Sequence, residues 1–292
     1  MELIKVTDKT YYIKNAVNIG VYKVSEDSVY LIDTGNDKDA GKKILKLLDA
    51  EGLKVAGIIS THSNADHIGG NRLIQERTSC PVLASGIEAA FTMNPILEPS
   101  FLYGGYPFRD LKSKFLMAEK SEVIELEGNL PEGLSYFELK GHFFDMIGIK
   151  TDDDVYFLAD SVFSKETVSK YHISFIYDVR AFLETLDYLE TLKGKLFVPS
   201  HAEATEDIKE LVLVNRNKTL EIADKICDIC KEAKTFEEIL KELFDSYSLT
   251  LNASQYVLSG STVRSYISYL YEDGRLSFEF NENKMYWKKA EA

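Results

Sequence analysis

Short apolar runs punctuate the first two-thirds of the chain. Val29–Asp33, Ala56–Ser60, Leu134–Lys140, Val155–Ala159 and Leu196–Ser200 are rich in aliphatic and aromatic residues and end on polar or glycine positions, a pattern that predicts strands. Between them, Ala40–Ala50, Gly69–Arg77 and Val179–Lys193 carry apolar residues at helical spacing, with Phe182, Leu186 and Leu189 on one stripe. Strands alternating with helices predict an α/β layer architecture.

The pattern changes near Asp207. Ile208–Lys234, Thr235–Tyr247 and Ser261–Tyr271 read as helices, the second capped by Thr235 with Glu237 and Glu238 in its first turn. Arg275–Phe280 and Lys284–Lys288 alternate around Asn281-Glu282-Asn283, which predicts a β-hairpin. Two domains are therefore expected, 1–206 and 207–292, the second helical and similar to a small winged-helix module. Its charge does not suit a reader of nucleic acid: residues 205–292 hold 12 Lys and Arg against 16 Asp and Glu, and Ser261–Tyr271 has Arg264 as its one base. Shaping the mouth of a site, or forming a homodimer, is the expected role of this region.

Composition narrows the class further. Of 292 residues, 45% are hydrophobic, enough for a sizeable core, and 34 Lys and Arg against 47 Asp and Glu leave a net charge of −13, which disfavours a nucleic-acid partner. No apolar run approaches the ~20 residues of a membrane span, and Met1–Ile13 is too polar for a signal peptide. Three unevenly placed cysteines, Cys80, Cys227 and Cys230, point to a reducing, cytoplasmic setting rather than a disulfide framework. Cys227 and Cys230 form a CxxC inside a helical, isoleucine-rich run and read as core packing.

Four of the five histidines gather in one kind of place. His62, His142 and His201 follow strands directly or through one residue, Asp160 follows another, and Asp66 and His67 sit in the turn after His62. Ligands of open α/β sheets collect outside the carboxyl ends of strands, so one rim would carry imidazoles and carboxylates, the donors that suit zinc and related divalent ions. His172 lies outside this set and reads as a packing or surface residue.

These residues resemble the metallo-β-lactamase superfamily. Thr61-His62-Ser63-Asn64-Ala65-Asp66-His67-Ile68-Gly69-Gly70 is similar to its H-x-H-x-D-H signature with the trailing glycines, Gly141-His142, Ala159-Asp160-Ser161 and Pro199-Ser200-His201 follow in the family's order, and Leu31-Ile32-Asp33-Thr34-Gly35 looks like its early element. The resemblance covers residues 10–205 and implies an αββα sandwich and metal-dependent hydrolysis, with His62, Asn64, Asp66, His67, His142, Asp160 and His201 at the metal positions. Asp66 would also orient the attacking water or accept its proton. Asp33 is either a partner orienting a ligand histidine or a strand-end cap.

Asn64 stands where the family has a histidine, so the site of His62, Asn64 and His142 should bind weakly beside one tight site at Asp66, His67, His201 and Asp160. Zinc is the expected ion, with iron or manganese possible on the same donors. Phe143-Phe144-Asp145 replaces the usual small residues after His142, and Asp145 reads as a partner of His142, a screen against anions or a surface carboxylate. The broken, aromatic stretch Phe91–Phe115 reads as a lid, a pocket wall or a packed connection. The expected function is hydrolysis of a small ester, thioester or lactone, as in hydroxyacylglutathione hydrolases; phosphodiester or RNA cleavage and a non-hydrolytic metal or redox role are the alternatives.

Overall fold

Side chains at alternate strand positions point to opposite faces, and the central strands of this chain are apolar on both. In the computed structural model, which describes residues 1–290, seven strands form one sheet in chain order. They are β1 (Glu2–Lys5), β2 (Thr10–Lys14), β3 (Ile19–Lys23), β4 (Ser28–Ile32), β5 (Lys54–Ile59), β6 (Val82–Ala84) and β7 (Ile124–Glu125). β1 to β4 run antiparallel and β4 to β7 parallel. A second sheet, ordered β11-β10-β9-β8, is built from β8 (Leu134–Glu138), β9 (Ile147–Thr151), β10 (Val155–Phe157) and β11 (Leu196–Val198).

The two sheets meet face to face over Ile32, Ile59 and Leu83 from one and Ile147, Ile149, Val155, Phe157 and Val198 from the other. The neighbours of these residues turn outward. Leu31 and Ile58 pack under α1 (Lys38–Ala50), which contributes Ile44 and Leu48. α2 (Ala65–Ile68) and α3 (Asn71–Thr78) follow on that side, and Ile74 joins the same cluster. Next come α4 (Gly86–Met93) and α5 (Leu97–Tyr103), then α6 (Lys165–Tyr171) and α7 (Val179–Thr191). Tyr156 and Phe197, on the outer face of the second sheet, pack with Val179, Phe182, Leu186 and Leu189 of α7. The result is the αββα layering.

The remaining elements are α8 (Lys209–Ile229), α9 (Phe236–Ser246), α10 (Ala253–Glu272) and the hairpin β12 (Leu276–Asn281) with β13 (Lys284–Lys289). The α7 cluster continues without a break into Val212, Ile226, Leu243, Ile267 and Leu270, so the C-terminal helices share a core with the second sheet. Residues 291 and 292 of the expected second domain lie outside the described residues. Thr235 caps α9 in a reciprocal capping box with Glu238. Glu282 and Asn283 both take positive φ, the geometry a two-residue hairpin turn requires. Among the described residues, no helix is long and apolar enough to cross a membrane.

The structure departs from the expected elements where short-range pattern is weak. β1, β2, β3, β6, β7 and β9 were not predicted; β2 and β9 carry polar or glycine positions, and pairing across the sheet completes their burial. The helix expected over Gly69–Arg77 is α3, which starts two residues later, and the short α2 precedes it with Gly69-Gly70 between them. A Cβ on Gly70 would meet the Thr34 carbonyl oxygen at 2.6 Å, so the glycine lets this turn lie against the loop after β4. Phe91–Phe115 contains α5, the end of α4 and a short 3-10 turn at Arg109–Leu111.

Gly141 is a further position where a side chain would meet backbone. Its φ is +115°, and a Cβ there would lie 2.2 Å from the Phe182 backbone nitrogen of α7. Its carbonyl accepts from the Tyr177 and Asp178 amides, which fixes the turn presenting His142. Gly141→Ala should therefore destabilise the fold by about 2 kcal/mol or more, from steric overlap and left-handed strain, read as a lowered midpoint in urea unfolding.

Candidate metal centre

The carboxyl ends of the inner strands converge on one rim. Backbone bonds tie the rim together: Asp33 N donates to Ile59 O, Ser200 N to Ala159 O, and Ile147 N to Thr61 O across the two sheets. Asp33 and Ala159 hold positive φ, 65° and 47°, at the points where β4 and β10 turn toward the cluster. Non-glycine residues in that region cost of order 1–2 kcal/mol each, and the surrounding packing maintains them.

Three buried histidines are fixed by the same device. Asp33 Oδ2 lies 2.8 Å from His67 Nδ1, and a carboxylate there accepts the ring hydrogen. Asp33 itself accepts from the Thr61 amide and hydroxyl, each at 2.8 Å. The Thr61 hydroxyl has then spent its hydrogen, so it accepts from His62 Nδ1 at 3.1 Å. His142 Nδ1 donates to the Phe175 carbonyl at 3.0 Å. With every Nδ1 hydrogen-bonded, each neutral ring presents its Nε2 lone pair to the rim, the arrangement by which outer partners orient ligand imidazoles.

What the rim holds fits a cation. Nε2 of His62, Nε2 of His67 and Oδ1 of Asp160 are buried and make no well-aligned hydrogen bond, although His67 Nε2 and Asp160 Oδ1 lie 3.0 Å apart. Burying such groups without good partners is costly, and one ion would satisfy all three. Donor atoms of His62, His67 and Asp160 lie within 4.8 Å of one another, as do those of Asp66, His67 and His201. His201 Nε2 is 3.2 Å from Asp160 Oδ2 and 3.3 Å from Asp66 Oδ2. His62 thus groups with His67 and Asp160, while His142 Nε2 lies 3.0 Å from the Asn64 side-chain oxygen, two acceptors side by side.

The electrostatics show the same demand for positive charge. Burial opposes charge on His67, but Asp160, Asp66 and Asp33 outweigh it and hold the imidazole well above its usual range. His201 is pushed up to about 10, the Asp160 and Asp66 carboxylates prevailing over burial. Asp160 and Asp66 are correspondingly held low by the histidines against the upward push of burial. Burial, aided by neighbouring His67, drives His62 down. Access is one-sided: the side chains of Asp66 and His201 are 42% and 22% exposed, against 0–5% for His67, His142 and Asp160.

Two acids that the sequence did not signal as functional stand behind this rim. Glu88 of α4 is buried and accepts from the Ser63 amide (2.9 Å), the Ser63 hydroxyl (2.6 Å) and the Asp145 amide (2.8 Å), joining the His62 loop to the turn after His142. Glu98 of α5 is buried and accepts from Asn64 Nδ2 at 2.9 Å. The available signal was a lone acid inside an otherwise apolar helix. Asp145 does not touch His142; its carboxylate lies at the start of α4, 3.3 Å from the Ile87 amide. Phe143 is buried among Phe91, Phe101, Phe144 and Phe175, and Phe144 lies on Tyr177, so the aromatic pair forms the wall beside His142. His172 stands apart, stacked on Tyr247.

Residues 13–201 match the model of the metallo-beta-lactamase superfamily, and the chain belongs to that family. A beta-lactamase domain protein from Burkholderia ambifaria superposes with a TM-score of 0.73 at 14% identity, over 99% of this chain and 94% of its own. A metallo-beta-lactamase family protein from Thermus thermophilus superposes with a TM-score of 0.75 at 18% identity, over 98% and 100%. At these identities the likeness is one of fold, and it extends over the C-terminal helices. A hydroxyacylglutathione hydrolase from Rhodopseudomonas palustris (strain BisB18) is 29% identical over 161 residues, 51% of this chain. The match spans about half of that relative, 53% of its length.

Glu88 makes stability depend on pH. Burial raises its carboxyl to about 7, against the pull of its three donors, from an ordinary value of 4.5. Between those values the folded chain holds a proton that the unfolded chain has released, so stability falls as pH rises through the window and levels off above it. Relative to Glu88→Gln, the wild type should lose up to about 3 kcal/mol between pH 4.5 and 8, measured by urea unfolding of both proteins across that range.

Proposed function

We propose that this chain is a metal-dependent hydrolase, with a zinc-class divalent ion at the rim, acting on a small ester, thioester or lactone. The observation that carries the reading is the set of buried donors without a well-aligned hydrogen bond, His62 Nε2, His67 Nε2 and Asp160 Oδ1, beside the half-open pair Asp66 and His201. Imidazole and carboxylate together suit zinc, with iron or manganese also compatible. A bound divalent ion would supply a Lewis acid for the substrate carbonyl and lower the pKa of a water from 15.7 toward about 7.

The chain's own residues do the rest. Asp33, Thr61 and the Phe175 carbonyl keep the imidazoles in one tautomer and orientation. Asp66, kept ionised by His67 and His201, is the exposed carboxylate that receives the proton of the attacking water. The aromatic wall of Phe143, Phe144 and Tyr177 limits the space beside it and favours a compact acyl substrate. The likeness to a hydroxyacylglutathione hydrolase supports a thioester among the candidates.

A phosphodiester substrate is disfavoured by the net charge of −13 and by Arg264, which lies over the Phe236 ring rather than in a basic groove. The C-terminal region, winged-helix-like in its helices and hairpin, serves in this reading to support the site wall. Thr262 of α10 accepts from the Ile176 amide and Ser265 donates to the Tyr177 carbonyl, next to the residue that holds His142. A dimer through this region is a further part of the proposal, as is a cytoplasmic setting, which three free, buried cysteines suit.

Assays on thioester, lactone, β-lactam and phosphodiester substrates test the reading. Turnover of an acyl substrate should be abolished by chelation and restored by zinc, iron or manganese. Asp66→Asn at saturating metal should lower kcat by roughly 10²–10⁴-fold; unchanged kcat would remove Asp66 from the chemistry. Asp33→Asn should weaken metal affinity by roughly 10–100-fold in chelator competition, because one uncharged amide oxygen cannot serve the Thr61 amide, the Thr61 hydroxyl and His67 Nδ1 as the carboxylate does.

A further inference from the structure

Three of the four rim histidines have an acceptor behind the ring for Nδ1: the Thr61 hydroxyl for His62, Asp33 for His67 and the Phe175 carbonyl for His142. His201 differs. Its Nε2 faces Asp160 and Asp66 at 3.2 and 3.3 Å, but among the described residues its Nδ1 makes no hydrogen bond. The backbone around it is well held. Ser164 N donates to His201 O at 3.1 Å, and Asn18 Nδ2 donates to the carbonyls of Pro199 and Ala202. What stands against the ring itself is Phe163, offset-stacked on it with centroids 6.0 Å apart and planes 27° apart.

Phe163 is fixed in turn by one side chain from the C-terminal region. Asn215 of α8 accepts from the Phe163 amide at 3.1 Å and donates to the Phe163 carbonyl at 2.8 Å, a two-point hold on a single residue. Its other amide hydrogen goes to Leu211 O of its own helix. Asn215 is 3% exposed and Phe163 6% exposed. Asn215 shares the buried positions of α8 with Val212 and Ile222, where an apolar residue would serve for packing alone. A buried amide there is stabilising only because its polar atoms are paired.

We propose that Phe163 is a positioning residue for His201 and that Asn215 holds it in place. The C-terminal region thereby orients the one rim imidazole whose Nδ1 has no protein acceptor. The inference rests on the metal reading above and deepens it by naming what aims His201 at the ion. An offset ring contact restricts rotation of the imidazole, and at the usual strength of such pairs its loss should weaken a site that needs one ring orientation by roughly 2–10-fold. Phe163 also lies 5.8 Å from His142, but that ring keeps its bond to Phe175 whatever the phenyl does.

The test uses the full-length chain with ¹³C-labelled histidine rings, first stripped of metal and then titrated with Zn²⁺ alone. Phe163→Leu keeps apolar bulk and removes the ring. Asn215→Leu removes the hold at similar size, with Asn215→Ala in reserve should it fail to fold. In the metal-free chain, relaxation should show the His201 ring losing order in Phe163→Leu and in the Asn215 variant, while the rings of His62 and His67 stay as ordered as in wild type. Both variants should then bind zinc roughly 2–10-fold more weakly. A residue that only filled space would lower the unfolding midpoint and move neither reading. The proposal is overturned if the His201 ring keeps its wild-type order in both variants, if zinc affinity is unchanged, or if His62 and His67 loosen as much as His201. An effect in Phe163→Leu alone removes Asn215 from the account. A wild type that takes no zinc, with His201 still loosened in the metal-free variants, overturns the metal reading and upholds the hold on His201.

Discussion

The centre depends on one constraint: every buried imidazole at the rim must have its Nδ1 hydrogen committed to an acceptor behind it. Asp33 provides the largest share of this, since one carboxylate holds His67 directly and His62 through the Thr61 hydroxyl. That carboxylate is itself buried and saturated by the Thr61 amide and hydroxyl, so it cannot be replaced by a residue with fewer lone pairs without freeing a ring. The left-handed backbone at Asp33 is the local cost of aiming it inward.

The fold follows from the need to bring separate strand ends to one place. Two sheets packed face to face put β4, β5, β10 and β11 side by side at their carboxyl ends, and cross-sheet backbone bonds keep the loops in register. Helices then cover both outer faces, so the rim is supported from behind and open only toward Asp66 and His201. The C-terminal helices contribute to the same support. Their apolar faces complete the core beneath the second sheet, and α10 reaches the segment that holds His142.

Much of this was legible from residues alone, for physical reasons. His62, Asp66, His67, His142, Asp160 and His201 could be drawn to one rim because strand ends are recognisable from short apolar runs, and strand ends of an α/β sheet share a rim; that His62 stands with His67 and Asp160 rather than with Asn64 and His142 alone was not legible. The matching family model and the superposed structures agree with that αββα reading. Glu88 and Glu98 were not legible as partners of the site, because burial depends on what a helix packs against, and an acid in an apolar helix reads equally as a solvated position. Asn64 and His142, 78 residues apart, were expected in one site, and the structure brings the Asn64 oxygen to 3.0 Å from His142 Nε2. Among the antiparallel strands, β1 escaped because its faces are only partly apolar, whereas β2 and β3 are largely buried but short, and Thr10 and Gly20 interrupt their apolar runs.

The most direct measurement is the location of the ion itself, by anomalous diffraction at the zinc edge from crystals of the metal-loaded chain. A peak is expected roughly 2.0–2.2 Å from His67 Nε2 and from a carboxylate oxygen of Asp160. Full zinc occupancy elsewhere, with His67 Nε2 uncoordinated, would contradict a centre built on the pinned imidazoles.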